Sequence, residues 1–376
     1  MKRIISIICI VCFFVPSFNI YAENLSETVS KSMILMEAST GEILKENNAD
    51  ERLPIASITK IMTLLLIMEA IDSGKITFED KVTVSEHAMS MGGSTMFLET
   101  GEELSVHEMI KGIAVASAND GCVAMAEYLM GSEDAFVDLM NKRAKELGME
   151  NTNFMNTNGL DEDGHYSSAR DVAKMSQELI KHEKIFEYTT IWTGMMNNDQ
   201  YELSNTNKLI RFYPGANGLK TGSTDAAGCC LAATAKRDDM QLIAVVLGAP
   251  TSNDRFKGAR ELLDFGFANY AIENPYPDGE IVGDIKVKKG INDTIGIIAK
   301  DCSLLVEKSQ KNNIEKIIEM PEEVNAPIKK GEKIGVLKFV LNGDVIAQKD
   351  LIASDDVIKK GFISYLVDIL RMFVGK

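Results

Sequence analysis

After Pro54 the sequence runs SITKIMTLLLIMEAI, Ser57 to Ile71, a segment apolar at helical spacing that reads as a buried helix. A helix of that kind has to be covered by other elements. Upstream, Ser32 to Glu37 (SMILME) and Glu42 to Lys45 read as two strands joined by a turn at Ser39-Thr40-Gly41. Helical, loop-punctuated sequence continues to about Glu187. A strand follows from Cys229 to Ala235, then a turn through Arg237 to Met240, a strand from Gln241 to Gly248, and a helix from about Asp254 to Ala271. Strands at both ends of a helical middle predict an α+β domain, with a sheet that joins the two ends.

Composition shifts at Asn274-Pro275-Tyr276-Pro277. Beyond it the alternation at Ile285/Val287, Ile295/Ile297, Leu304/Val306, Ile334/Val336 and Val345/Ala347 predicts a small all-β domain over 276–352. Asn342-Gly343 between two such runs is a hairpin signal. In the last segment, 355–376, Ile358, Phe362, Tyr365, Leu366, Ile369 and Phe373 share one helical face. Asp368 and Arg371 interrupt the apolar stretch, which is too short to span a bilayer. An amphipathic helix lying in the membrane interface fits it; packing on the protein's own surface is the other reading.

Lys2 and Arg3 precede an apolar run, Ile4 to Val15; Pro16 breaks it, and Ile20-Tyr21-Ala22 makes a small-residue cleavage site. This three-part layout predicts a signal peptide over 1–22, cleaved after Ala22. The chain is thus expected outside the cytoplasm, peripheral on the outer face of the cytoplasmic membrane. A lipid anchor through Cys12 is disfavoured by Phe13 and Phe14 beside it. Cys122, Cys229, Cys230 and Cys302 would remain after cleavage, in a chain of 376 residues that is far too long to be a disulfide scaffold. Cys229 and Cys230 are adjacent in a strand and point to opposite faces; buried small apolar roles suit them. The net charge of -15 argues against a nucleic-acid partner.

Three short motifs carry chemistry. In Ser57-Ile58-Thr59-Lys60 the serine and lysine are three apart, so on a helix they project side by side. A serine hydroxyl attacks only when a neighbour takes its proton. A lysine can do so if burial and the helix N-terminus lower its pKa. Ser57 at the first turn also places its backbone N–H where an oxyanion would form. In KGIAVASANDG, Ser117-Ala118-Asn119 sets a second hydroxyl and a carboxamide amid small apolar residues, as in a loop entering a site; helix capping is the other reading. Lys220-Thr221-Gly222 opens a strand after Pro214, Gly215 and Gly218. Its cation and hydroxyl could bind a carboxylate, with Gly222 letting a substrate backbone approach; a turn-entry lysine is the alternative.

Ser-x-x-Lys, Ser-x-Asn and Lys-Thr-Gly, in that order, form the set of β-lactamases and penicillin-binding proteins. The runs MILMEASTGEIL, PIASITKIMT, TGEELSVHEMIKGIAVASANDG, NTNGLDEDGHYSSARDVAKM and GLKTGSTDAAGCCLAATA resemble the low-molecular-mass penicillin-binding proteins, the serine-type D-Ala-D-Ala carboxypeptidases. The likeness covers 25–272; the β-rich domain and terminal helix also match that family's layout. The resemblance implies a β-lactamase/transpeptidase-like catalytic domain, with an antiparallel sheet, helices and a helical region. It implies that Ser57 attacks the carbonyl between the terminal D-alanines of peptidoglycan stem peptides, with Lys60 as base and Ser117 relaying a proton to the leaving amine. Asn119 would bond the substrate amide. Lys220 and Thr221 would hold the terminal carboxylate, with Gly222 beside them and Arg255 adding to that pocket. The N–H groups of Ser57 and Ser223 would form the oxyanion hole. Water would release the acyl-enzyme, β-lactam antibiotics would acylate the same serine, and no cofactor is called for.

Rival chemistries lack their signatures. His87, His107, His165 and His182 are scattered, with no Gly-x-Ser-x-Gly elbow and no His-Glu-x-x-His zinc motif. His165 reads as structural or near the cleft. A β-lactamase shares all three motifs, but the Glu-x-x-Leu-Asn setting of a class A deacylating glutamate is missing between Asn119 and Lys220. A non-catalytic wall-binding scaffold is the last alternative, and three intact motifs argue against it.

Overall fold

The computed structural model describes residues 30–196, 201–277, 279–300, 302–363 and 366–367. The expected signal peptide lies outside them, as do Tyr365, Ile369 and Phe373. Strands β1 (Ser32–Glu37), β2 (Ile43–Asn47), β3 (Ala216–Thr224), β4 (Gly228–Arg237) and β5 (Met240–Ala249) form one antiparallel sheet in the order β2-β1-β5-β4-β3. The expected closure of the two ends occurs at β1 against β5, from Ser32 opposite Leu247 to Glu37 opposite Leu242.

Each sheet face buries its own apolar layer. One faces helix α1 (Lys60–Asp72), whose residues from Lys60 through Met68 are all buried. A helix covered on every side fits its near-continuous apolar sequence. Ile34, Ile243, Val245 and Cys230 contribute to that core from the sheet. Around α1 lie α2 (Val106–Lys111), α3 (Asn119–Met130), α4 (Glu133–Glu146) and α5 (Ala169–Leu179). The other sheet face packs Leu35, Leu231 and Leu242 against Phe256, Leu262 and Leu263 of α6 (Ser252–Asn269). Cys229 packs on this α6 side, so the two adjacent cysteines do face opposite ways; Cys229 is half-buried rather than buried. All four cysteines in the described residues are thiols.

Four local expectations change. The turn holding Ser57 is a 3-10 turn, Ala56–Thr59, and the α-helix begins at Lys60, because Ala56 takes a left-handed φ of 49°. The helical middle contains a strand pair, Lys81–Thr83 with Glu103–Ser105, and a second pair, Thr193–Met196 with Tyr201–Ser204, follows it. Lys220-Thr221-Gly222 lies inside β3, which starts earlier at Ala216, and not at its opening. The terminal helix does not start at Asp355. Val357 bridges Ile328 and Lys359 bridges Gly290, so Ile358 belongs to an extended segment tied to the β-rich region.

That region forms a six-stranded sheet over its own core of Ile285, Ile297, Leu337, Phe339 and Leu351. Its pairing with the preceding chain begins before Tyr276: Tyr270–Glu273, continuous with α6, pairs with Leu304–Glu307.

Candidate active site

Lys60 opens α1 one turn after Ser57, and its Nζ donates to Ser57 Oγ at 2.9 Å. It also donates to Asn119 Oδ1 at 2.6 Å and to the Asn158 carbonyl at 2.6 Å. All three acceptors are neutral. The ammonium is wholly buried, and the loss of hydration lowers its pKa from 10.5 to about 8, against the smaller opposing influence of Cys122 and Asp120.

The second motif arrives from α2. Ser105 and Glu108 close a capping box at its start. The helix then passes into a π-turn, Gly112–Ala116, that ends on Ser117 with φ 64°. Ser117 and Ala56 thus both hold left-handed conformations unusual for side-chain-bearing residues, costing on the order of 1–3 kcal/mol each. The surroundings fix them there. Asn119 donates through Nδ2 to the Gly92 carbonyl at 2.7 Å and through its backbone N–H to the Ser94 carbonyl at 2.7 Å. The next residue, Asp120, accepts from the N–H groups of Met96 at 3.0 Å and Leu98 at 3.2 Å. The loop over 92–98 is therefore stitched to the start of α3. Burial raises the Asp120 pKa against these same hydrogen bonds.

The third motif forms the sheet edge beside them. Lys220 is buried, and burial followed by the charge of Lys60 pushes its pKa well below the usual lysine value. Its Nζ donates to the Thr221 carbonyl at 2.9 Å. The Thr221 hydroxyl lies 2.6 Å from that of Thr206. Side chains alternate along a strand, and the partners show the alternation. Lys220 stands opposite Ala232 of the α1-side core, and Thr221 opposite Leu231 of the α6-side core. Gly222 also meets a need inside the protein. A Cβ there would lie 2.8 Å from the Ile55 carbonyl and 2.9 Å from the Ser57 amide nitrogen. The missing side chain lets the turn holding Ser57 approach β3. Ser223, exposed, comes next. Arg255 reaches across from α6, its guanidinium donating to the Gly222 carbonyl at 2.9 Å and to the Cys230 carbonyl at 3.3 Å.

Sequence reasoning missed a supporting layer under Ser57. Gly159 (φ 85°) lies so close to the Ala56 carbonyl that an added Cβ would coincide with it. The Thr59 hydroxyl donates to that carbonyl at 2.9 Å. His165 Nδ1 accepts from the Met155 N–H at 3.1 Å, which leaves the proton on Nε2, 2.7 Å from the Thr59 oxygen. Burial lowers the His165 pKa to about 4. His165 is therefore a neutral brace. Its place near the cleft agrees with the sequence reading, but its partners carry no sequence signal. Asp120 has one, as an acid in the first turn of a helix; Asn158 acts through its backbone and has none. Together the elements present a hydroxyl beside an amine near neutrality, and a second buried amine, facing the edge of a sheet.

Residues 19–251 match the D-alanyl-D-alanine carboxypeptidase family, and residues 270–359 match the penicillin-binding protein 5 C-terminal domain. The D-alanyl-D-alanine carboxypeptidase DacF of Bacillus subtilis (strain 168) is 46% identical over 380 residues, covering 97% of each chain. Penicillin binding protein 5 from Haemophilus influenzae is structurally similar, with a TM-score of 0.76 and 32% identity over 88% of this chain and 98% of that one. Penicillin-binding protein D2 from Listeria monocytogenes, solved in an ampicillin-bound form, aligns with a TM-score of 0.59 and 33% identity over 65% of this chain and 99% of that one.

Proposed function

This chain belongs to the D-alanyl-D-alanine carboxypeptidase family, and from that membership we propose the part each residue plays. The protein is a serine D-alanyl-D-alanine carboxypeptidase. Ser57 is its nucleophile, attacking the carbonyl between the terminal D-alanines of a stem peptide. Neutral Lys60 takes the hydroxyl proton. The observation that carries this reading is the contact of 2.9 Å between Lys60 Nζ and Ser57 Oγ in a buried setting that holds the pKa at about 8. Roughly a tenth of Lys60 is then neutral at pH 7, against under about a thousandth for an ordinary lysine.

Ser117 passes a proton to the leaving amine. The Asn119 carbonyl oxygen gives one lone pair to Lys60 and keeps the other for the substrate amide. Lys220 and Thr221 hold the terminal carboxylate, which sits at the strand edge where both faces of β3 can be reached. That carboxylate supplies the counter-charge two neighbouring buried amines lack. Its charge favours the ammonium form of Lys220, and that like charge in turn favours neutral Lys60. The N–H groups of Ser57 and Ser223 receive the oxyanion, with Gly222 setting their separation. Arg255 is a positioning residue that acts through the Gly222 carbonyl. Water hydrolyses the acyl-enzyme, and penicillin acylates the same serine.

The chain is exported and rests on the outer face of the cytoplasmic membrane. The layout of 1–22 supports export. Phe362, Ile363, Leu366 and Val367, at 83%, 76%, 48% and 40% exposure, support an interfacial contact. No helix in the described residues is long and apolar enough to cross a membrane.

The test is incubation with fluorescent penicillin, and separately with a peptide ending in D-Ala-D-Ala. Wild type is expected to form a stable adduct and to release D-alanine. A Ser57→Ala variant that still labels or still releases D-alanine would sink the assignment. An adduct lost within seconds would point to a β-lactamase.

A further inference from the structure

Of the four thiols in the described residues, one differs from the rest. Cys122 and Cys230 expose no surface and Cys302 only 1%. Burial raises Cys122 to about 12 and Cys230 to about 11, where almost no thiolate forms. Cys229 is half-buried at the start of β4. It stands directly across from Ser223, with Ser223 Oγ 3.8 Å from Cys229 Sγ. Its side chain lies on the α6 face of the sheet.

The same face holds a donor in need of an acceptor. Arg255 of α6 is only 9% exposed, and its Nε has no hydrogen-bond partner among the described residues. Its other nitrogens are used on Gly222, Cys230 and Ser252. Burial lowers the Arg255 pKa, against the smaller opposing influence of the nearby Cys229 and Cys230 sulfurs. A buried cationic donor beside a reachable thiol welcomes an anion carried on it.

We propose that Cys229 is a modification site: it exchanges with small disulfides that carry a carboxylate, and the resulting adduct covers Ser223 and blocks acylation of Ser57. In the exchange the Cys229 thiolate attacks one sulfur of the disulfide. A new S–S bond forms as the old one breaks, and the second half leaves as a thiolate that takes up the proton Cys229 lost. An added thiol reverses the step. The effect on acylation rests on the reading above that places the substrate carbonyl at the Ser223 N–H.

Oxidised glutathione is the probe, applied to the full chain. Peptide mass mapping is expected to locate the adduct on Cys229 and to find Cys122, Cys230 and Cys302 unmodified. Fluorescent penicillin should then label the capped protein at least tenfold more slowly, and dithiothreitol should restore the rate. Cys229→Ser should label at the uncapped rate before and after treatment. Absence of an adduct on Cys229, or a capped protein that acylates at its original rate, overturns the proposal. If the untreated protein is never acylated, the reading of Ser57 fails instead, and the mapped adduct still reports on Cys229.

Discussion

A Cβ on Gly222 would lie 2.9 Å from the backbone nitrogen of Ser57. The edge strand and the turn holding Ser57 are in backbone contact, and the proposed oxyanion pocket rests on that contact. Gly222→Ala should push β3 away from the turn. Because β3 is an edge strand with one sheet neighbour, it can retreat without unzipping the sheet. Penicillin acylation is expected to fall by roughly a hundredfold, a scale set by misplacement of about 1 Å, with an unchanged circular dichroism spectrum. Acylation within twofold of wild type would contradict this.

Lys60 makes the reaction pH-dependent in a fixed direction. With neutral Lys60 as the proposed base, the acylation rate should rise with pH, with an inflection near 8. Lys60→Arg, which stays charged, should abolish both the inflection and most of the activity.

Folding stability responds to the same group. The folded pKa of about 8 lies below the ordinary 10.5 of the unfolded chain. Between those pH values the unfolded chain binds more protons, so stability rises with pH across that window. The difference in urea unfolding free energy between wild type and Lys60→Met should grow by about 3 kcal/mol from pH 8 to pH 10.5. A difference that is flat with pH would count against a buried Lys60.

His165 should behave in the opposite range. Its folded pKa of about 4 lies below the ordinary 6.5, so the stability it contributes is complete above pH 6.5 and is lost as the pH falls toward 4. His165→Phe strands the Met155 N–H, removes the bond to the Thr59 oxygen, and should cost about 2 kcal/mol in thermal or urea unfolding at pH 7. His165→Gln should lessen the acid destabilisation. No inflection near 6.5 from this residue should appear in the acylation profile.

The terminal segment divides at Lys360. Residues through Lys360 are tied to the β-rich sheet, and Lys360 N–H donates to the Lys289 carbonyl at 2.7 Å. Truncation after Lys360 should therefore leave penicillin acylation unchanged while abolishing binding to anionic vesicles. Vesicle binding equal to that of the full chain would refute the interfacial contact.

Much of this protein could be read without a fold. The Ser57/Lys60 pairing survives even though the turn is 3-10, since both helical forms place positions three apart on one side. Alternation along β4 placed Cys229 and Cys230 on opposite faces, and apolar strands at both ends of a helical segment required a sheet that joins them. These are local periodicities, and each is written into neighbouring residues.

The rest depends on backbones distant in sequence meeting at close range. Nothing beside Gly159 states that the Ala56 carbonyl will press on it. Gly222 had a plausible local reading, substrate approach, and the tertiary structure adds to it an approach to Ile55 and Ser57. The pKa of Lys60 is likewise a property of burial and of neutral partners from Asn119 and Asn158. The sequence by itself determined which groups exist and which faces they share. Only the tertiary structure decided how far each is dehydrated and how closely the backbones pack, because desolvation and steric contact are summed over all neighbours in space.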